Sequence, residues 1–325
     1  MTGLFWPSRN FDSHPWEVTI DSRKSARPSA GRRSAITIAL ANQKGGVGKT
    51  TTAVSLSVAL AAGGCRVLLV DIDPRNATSS LGIEKTDLEY TIYDLLVGNA
   101  PAQDVIVETG RERLQLLPSA PELAGAEVEL VGVSARESRL KAGLDPVRDA
   151  YDLILVDCPP SLGLITVNAM TAADLVLVPI QCEFLALEGV GQLITTIDLV
   201  RRHLNPSLDI IGVLMTMYDG RTRLSQHVVN EVRSYFPERI FSEVIPRSVR
   251  LAEAPSYGQA IIEYDRPSRG AVAYRAVAAE LLERLHLPPM NLAQPADEDR
   301  IHDRNGQAAA AAGSVRETIQ EGAAQ

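Results

Sequence analysis

The stretch Ile36–Thr50, which reads ITIALANQKGGVGKT, decides the fold of this chain. Its first residues, 36–41, form a short apolar and partly β-branched run that is typical of a buried strand. Three glycines and two lysines follow, and a helical stretch begins at Thr50. A glycine-rich turn between a strand and a helix can surround phosphate oxygens with backbone N–H groups at the positive end of the helix dipole. The segment therefore predicts a phosphate-binding loop.

This loop departs from the common pattern G-x-x-x-x-G-K-[ST]. The first glycine of that pattern would fall at Gln43, whereas Lys44 adds a cation at the loop entrance. We expect Lys49 to reach the β- and γ-phosphates of a nucleotide and the Thr50 hydroxyl to hold Mg²⁺. The alternative is a glycine-rich turn with two solvated lysines, which would require strand, turn, helix, Lys49 and Thr50 to coincide by chance.

The rest of the chain alternates short β-branched runs with longer helical stretches. This alternation predicts a single α/β domain, spanning residues 35–287, in which a mostly parallel central sheet has helices on both faces. The expected strands are 36–41, 67–71, 114–118, 153–157, 175–179, 210–215 and 240–244. The expected helices are 50–62, 123–142, 165–172, 187–203, 224–236 and 270–285.

Both ends of the chain lack an apolar face. Residues 1–34 are rich in proline, serine and basic side chains, and we expect a disordered basic arm there that contacts DNA or nothing. Residues 288–325 predict a disordered acidic and alanine-rich tail. The net charge of −8 argues against a surface that is basic throughout, so any DNA binding must come from a local patch.

The three cysteines, Cys65, Cys158 and Cys182, have the spacing of neither a zinc site nor a disulfide framework. We interpret them as reduced residues of a cytoplasmic protein. No apolar run approaches the length that spans a bilayer, and the beginning of the sequence lacks the layout of a secretory signal.

Acidic residues follow two of the predicted strands. Asp71 and Asp73 end the second strand, where a parallel sheet places its ligand crevice, and Asp157 ends a later apolar strand. Asp157 fits the position of an acid that contacts Mg²⁺ through water. Asp71 by itself is also compatible with a strand-end acid that caps the next turn.

Several segments together carry a resemblance to a known family. The form Lys-Gly-Gly-x-Gly-Lys-Thr at residues 44–50 resembles the deviant Walker A loop of the ParA/MinD family, in the SIMIBI class of P-loop NTPases. The segments 179–189, 217–222 and 245–256 resemble the chromosomal ParA/Soj branch in particular, and the resemblance covers roughly residues 35–286.

The resemblance implies roles for individual residues around ATP and Mg²⁺. In the family the added lysine, here Lys44, reaches the nucleotide of a partner subunit in an ATP-dependent sandwich dimer. Asp73 would orient or activate the attacking water, with Lys44 and Lys49 as the other catalytic groups, and Asp71 would support Mg²⁺ or the loop. The implied metal-site residues are Thr50, Asp71 and Asp157. The implied ATP-binding residues are Lys44, Gly45, Gly46, Val47, Gly48, Lys49, Thr50, Thr51, Met217, Pro246 and Arg247.

One segment departs from the family. Relatives usually read Asp-Pro-Gln-Gly-Asn after the second strand, whereas this chain reads Asp73-Pro74-Arg75-Asn76, one residue shorter and with a new cation. The geometry of this first switch is therefore open, although Asp73 and Pro74 precede the change. We expect hydrolysis to survive it, at an altered rate.

The family resemblance also implies partners. Arg221 and Arg250 match positions used for sequence-independent binding of double-stranded DNA, and Arg223 and Arg247 lie beside them in sequence. The alternative is that these arginines pair with surface acids or with nucleotide. The implied function is segregation of chromosome or plasmid DNA by an ATP-dependent homodimer, with a ParB-like partner that stimulates hydrolysis. The rivals are a MinD-like membrane switch, for which residues 300–325 lack an amphipathic apolar face, an orphan positioning ATPase, and a small-molecule ligase or reductase.

Overall fold

The structure is a computed structural model that describes residues 34–75, 77–183 and 188–289 of the 325-residue chain. Nearly all of the two predicted terminal arms lies outside the described residues, as do Asn76 and residues 184–187. Within the part that is described, no helix is both long enough and apolar enough to cross a membrane.

The core of the domain is one seven-stranded sheet with the strand order β3-β4-β2-β5-β1-β6-β7. All neighbouring strands pair in parallel except β3 and β4, which are antiparallel. The strands are β1 (Ile36–Leu40), β2 (Val67–Asp71), β3 (Val107–Arg111), β4 (Leu114–Leu117), β5 (Leu153–Asp157), β6 (Leu175–Gln181) and β7 (Asp209–Thr216).

Helices follow most of the strands and cover both faces of the sheet. They are α1 (Lys49–Ala62), α2 (Ala77–Ser80), α3 (Ile92–Val97), α4 (Ala102–Val105), α5 (Leu123–Glu129), α6 (Arg139–Leu144), α7 (Leu164–Ala172), α8 (Glu188–His203), α9 (Arg223–Tyr235), α10 (Val249–Glu253), α11 (Ile261–Tyr264) and α12 (Arg269–Arg284). The predicted α/β fold with a mostly parallel sheet is confirmed.

The central strands bury side chains on both faces, because alternate residues of a strand point in opposite directions. On β1, Ile38 and Leu40 join the apolar cluster that contains residues of α1 and α12. Ala39 joins the second cluster, which contains residues of α3 and α5 to α9. Burial on both faces explains why these strands read as continuous apolar runs.

The register of the central strands brings the acidic strand ends together. Leu40 of β1 pairs with Asp157 of β5, and Asp71 of β2 pairs with the same residue from the other side. The loop that follows β1 and the carboxylates that end β2 and β5 therefore share one edge of the sheet.

The sequence analysis missed β3 and placed one strand wrongly. Residues 107–111 read VETGR, and because β3 is a half-exposed edge strand it carries too few apolar residues to be recognised. The predicted strand 240–244 forms only an isolated bridge between Val213 and Ile240. Phe241 and Ile245 still donate their main-chain N–H groups to β7, so this segment follows the sheet edge without continuous pairing.

The predicted helix 123–142 is also wrong as a single element. It is divided into α5 and α6 by two 3₁₀ turns, Leu130–Gly132 and Arg136–Ser138. Ala135 between them has φ of 53°, which a continuous α-helix does not allow.

Candidate nucleotide-binding site

The glycine-rich loop runs from β1 into α1 and is fixed at both ends. At its entrance the side chain of Asn42 donates to the main-chain oxygen of Pro179 over 2.7 Å and accepts the N–H of Lys44 over 3.0 Å. At its exit Gly48 caps α1 with φ of 88°, a left-handed conformation that favours glycine. The loop therefore has a defined shape, which contacts at its entrance and exit hold in place.

A cleft of about 250 Å³ opens over this loop. Eight of the predicted nucleotide or catalytic residues line it, together with Arg75 and Pro160. The eight are Gly45, Gly46, Gly48, Lys49, Thr50, Thr51, Asp73 and Met217. Of the other predicted contacts, Val47 is buried. Pro246 and Arg247 do not line the cleft; Pro246 forms a bridge with Tyr218, and Arg247 donates its main-chain N–H to the main-chain oxygen of Tyr218.

The two lysines of the loop have different environments. Lys49 lines the cleft, is 6% exposed and donates to the main-chain oxygen of Lys44 over 3.3 Å. Burial lowers the pKa of the Lys49 ammonium, although the charge of Asp157 opposes this shift. Lys44 is not among the residues that line the cleft; its ammonium lies 3.7 Å from Glu183, and 36% of its side chain is exposed. The two lysines therefore differ in burial and in partner, and of the two it is Lys49 that lines the cleft.

The side chain of Asp71 is occupied by neighbouring donors. One carboxylate oxygen accepts the N–H of Asp73 over 3.1 Å, and the other accepts both the N–H and the hydroxyl of Thr78 over 2.7 Å. Burial raises the pKa of Asp71 to about 6 in spite of these hydrogen bonds. The contacts give Asp71 a part in holding the turn after β2, which is the capping alternative left open by the sequence.

Asp157 has the opposite character. It is fully buried, and neither carboxylate oxygen has a hydrogen-bond partner of normal geometry among the described residues. The hydroxyl of Thr50, from α1, is the neighbouring donor. Burial and then the charge of Asp71 raise its pKa well above the usual value. Unpartnered buried carboxylate oxygens beside a threonine hydroxyl and a phosphate loop fit Mg²⁺. Within the described residues no group of three or more His, Cys, Asp or Glu side chains could hold a metal ion.

The shortened turn after β2 is tightly held. Arg75 donates to Oδ1 of Asp73 through both its main-chain N–H and its Nε, each over 3.2 Å. Lys85 donates to the main-chain oxygens of Pro74 and Arg75. The Asp73 side chain is almost fully buried, whereas that of Arg75 is 62% exposed. The turn thus presents one carboxylate and one cation to the cleft.

The four candidate DNA-binding arginines lie on exposed segments beside the cleft wall. Arg221 precedes α9, Arg223 begins it, and Arg250 lies in α10. Tyr218 and Pro246 form a bridge, which joins the segment of Arg221 to that of Arg247. Three of the four pair with acids: Arg221 with Asp219, Arg247 with Glu183, and Arg250 with Glu253 and Asp265. Both interpretations of the arginines therefore remain.

Sequence reasoning missed three residues that shape the site. Asn42 and Thr216 anchor the loop, and Glu183 pairs with Lys44. Each lies at or just after the carboxyl end of a parallel strand. Polar side chains at this edge of the sheet were the signal that could have identified them.

Known proteins resemble this chain over most of its length. Residues 35–210 match the family model described as an AAA domain. The chain is 56% identical over 245 residues to the sporulation initiation inhibitor protein Soj of Bacillus subtilis (strain 168), which covers 75% of this chain and 97% of that protein. It is 51% identical over 248 residues to the chromosome partitioning protein ParA of Myxococcus xanthus (strain DK1622), covering 76% of this chain and 88% of that protein.

This chain belongs to the ParA/Soj family. The resemblance read from the sequence is thereby confirmed, and with it membership of a family of chromosome-partitioning ATPases with a P-loop fold. A solved structure from Mycobacterium smegmatis, described as cobyrinic acid a,c-diamide synthase with bound ATP analogue and magnesium, is 39% identical. It superimposes with a TM-score of 0.68 and covers 79% of this ParA/Soj chain and 98% of that one.

Proposed function

We propose that this ParA/Soj protein is a Mg²⁺-dependent ATPase that segregates chromosome or plasmid DNA. Its ATPase domain is residues 35–287. ATP binding joins two copies face to face, the dimer binds double-stranded DNA without sequence preference, and a ParB-like partner stimulates hydrolysis and release. The protein would act in the cytoplasm on the nucleoid.

One observation carries the dimer model, namely that Lys44 does not line the cleft that holds Lys49. Lys49 already supplies a buried cation inside the cleft, whereas the Lys44 ammonium is partly exposed and pairs with Glu183. A surface ion pair of this kind contributes little, about 0–1 kcal/mol, so a triphosphate presented by a second subunit competes well for the ammonium. This supports a shared site that assembles only when ATP is bound.

The residues of the cleft suit hydrolysis of a triphosphate. The loop N–H groups and Lys49 would hold the phosphates, while Thr50 and Asp157 would hold Mg²⁺, with Asp71 fixing the turn. Bound Mg²⁺ would neutralise part of the phosphate charge. Asp73 would accept a hydrogen bond from the attacking water and orient it toward the terminal phosphate. Loss of that phosphate removes the differential affinity that favours the closed dimer.

The exposed arginines support the DNA part of the proposal. Arg221 follows cleft-lining Met217 in the chain, and the bridge between Tyr218 and Pro246 joins that segment to the one that leads into Arg250. Arginine binds phosphate through paired donors, and the surface pairs with Asp219 and Glu253 are weak enough to exchange.

Sedimentation and DNA retention test the proposal directly. Wild type, Lys44→Ala and Lys141→Ala should be compared with ATP, with ADP and without nucleotide. Lys141 is an exposed lysine of α6 and serves as the matched control. We expect ATP-specific dimers and DNA retention in wild type and Lys141→Ala, and neither in Lys44→Ala. Dimers that form equally with ADP would contradict the shared-site model, and dimers that ignore DNA would favour a positioning ATPase with another cargo.

A further inference from the structure

Arg75 is a cation at the nucleotide cleft that comes from outside the glycine-rich loop. Its side chain lines the cleft and is 62% exposed. It is thus placed to meet a nucleotide.

The contacts of Arg75 leave most of its donors available. Its Nε bonds to Oδ1 of Asp73, whereas neither terminal nitrogen makes a hydrogen bond to any residue that the structure describes. A guanidinium has five N–H donors, and its forked geometry matches two phosphate oxygens at once. The present pair with one carboxylate oxygen uses only a small part of that capacity.

The main chain around Arg75 keeps the side chain at the cleft. The Arg75 N–H bonds to Asp73, and Lys85 holds the main-chain oxygens of Pro74 and Arg75. These contacts involve backbone atoms of Arg75, so the guanidinium can change partner while the turn stays in place. Asp73 likewise keeps one hydrogen bond when the side chain leaves.

We propose that Arg75 is a binding residue for the terminal phosphate of ATP, and that it exchanges its pair with Asp73 for that phosphate. A terminal phosphate carries more charge than a carboxylate, and its oxygens accept hydrogen bonds from both terminal nitrogens of Arg75. The exchange is therefore favourable. It also frees Oδ1 of Asp73 from one donor when substrate arrives. This inference rests on the proposed function, because the role of Asp73 places the γ-phosphate near this turn.

Calorimetric titration with Mg²⁺ and either ADP or a non-hydrolysable ATP analogue tests the exchange. We expect Arg75→Gln to weaken binding of the analogue about three- to tenfold and binding of ADP less than about twofold. A phosphate hydrogen bond is lost, and this loss is partly offset because the ion pair with the buried Asp73 carboxylate need no longer open. Arg75→Lys should lie between, since lysine is a point charge without the forked geometry. Arg113→Gln is the control, because Arg113 pairs with Glu112 between β3 and β4, at the sheet edge farthest from β7.

A double-mutant cycle that combines Asp73→Asn with Arg75→Gln gives an independent measure of the exchange. Removing Asp73 should tighten analogue binding, and the gain should be smaller in the Arg75→Gln background, where no ion pair competes. Equal loss of ADP and analogue binding, or faster hydrolysis at unchanged affinity, would overturn the inference and leave Arg75 as a restraint on Asp73. If wild type bound neither nucleotide, the proposed function itself would fail.

Discussion

Thr216, the last residue of β7, donates its side-chain hydroxyl to the main-chain oxygen of Val47 over 2.8 Å. The edge strand of the sheet is thus bonded to the middle of the phosphate loop. The bond is buried. Thr216 directly precedes Met217, which lines the nucleotide cleft. The loop is therefore held from outside its own strand and helix.

Thr216→Val tests this bond, since the substitution keeps the shape and removes the hydroxyl. We expect a loss of about 1 kcal/mol in the free energy of unfolding and weaker ATP binding, because the oxygen of Val47 loses its donor. Thr171→Val is the control, as its hydroxyl bonds to Val167 inside α7 over the same 2.8 Å. Chemical denaturation and nucleotide titration should show that both variants lose stability and that only Thr216→Val loses affinity.

Asp157→Asn should separate stability from Mg²⁺ binding. Replacing a buried unpartnered carboxylate with a neutral amide should raise the stability of the nucleotide-free protein by about 1 kcal/mol, and it should abolish the tightening of ATP binding by Mg²⁺. Asp152→Asn is a contrasting control, because Asp152 lies just before the first residue of β5 and pairs with Arg66. It should lose stability and keep its Mg²⁺ dependence. Full Mg²⁺ enhancement in Asp157→Asn would assign the metal elsewhere.

Asp73→Ala should slow single-turnover ATP hydrolysis by roughly 10²-fold, the lower range for loss of a general base. The matched control is Asp87→Ala, an exposed aspartate farther along the same segment. Rapid mixing of enzyme in excess over labelled ATP measures the chemical step directly. Equal rates for Asp73→Ala and wild type would remove Asp73 from the mechanism.

Charge reversal of the exposed arginines should reduce DNA retention. We expect Arg221→Glu and Arg250→Glu each to weaken binding and to flatten the fall of log affinity with log salt concentration, since each loses a phosphate contact. Arg113→Glu has the same change of charge at the opposite edge of the sheet and should bind as wild type does. Unchanged retention in both test variants would mean that their pairs with Asp219 and Glu253 are their whole role.

The three cysteines should be inert in the folded protein. All are buried, and burial raises the pKa of Cys65 to about 11, that of Cys182 to about 12, and that of Cys158 still further. A raised pKa keeps a thiol protonated at pH 8, and the thiolate is the reactive form. A disulfide reagent that releases a coloured thiolate should therefore give no colour with the folded protein. After denaturant is added, all three thiols should react. Rapid reaction of one thiol under native conditions would show that the segment around it opens.

The sequence was informative where one element decided both structure and chemistry. The run Ile36–Ala41, the glycines after it and the acids that end β2 and β5 were all readable, because buried parallel strands and phosphate loops have narrow residue requirements. What was missed depends on distant partners. Thr216, Asn42 and Glu183 gain their roles only from the strand order, and β3 is recognisable only from its pairing with β4.

The same limit applies to Arg75. Its charge was visible in the sequence, but its hydrogen bond to Asp73 and its exposure to the cleft follow from the fold of a turn that is one residue shorter than usual. Local shortening changes backbone geometry in a way that residue pattern alone does not define.

The segment that follows α2 and the segment that follows α10 meet backbone to backbone at Gly82 and Gly258. Both residues have positive φ, and a Cβ at Gly258 would lie 2.7 Å from the Cα of Gly82. Arg111 reinforces the junction through hydrogen bonds to the main-chain oxygens of Leu81 and Gly258. A side chain at Gly258 would displace Gly82, and at Gly82 the φ of 79° disfavours any residue with a Cβ, so across homologues we expect both sites to stay glycine.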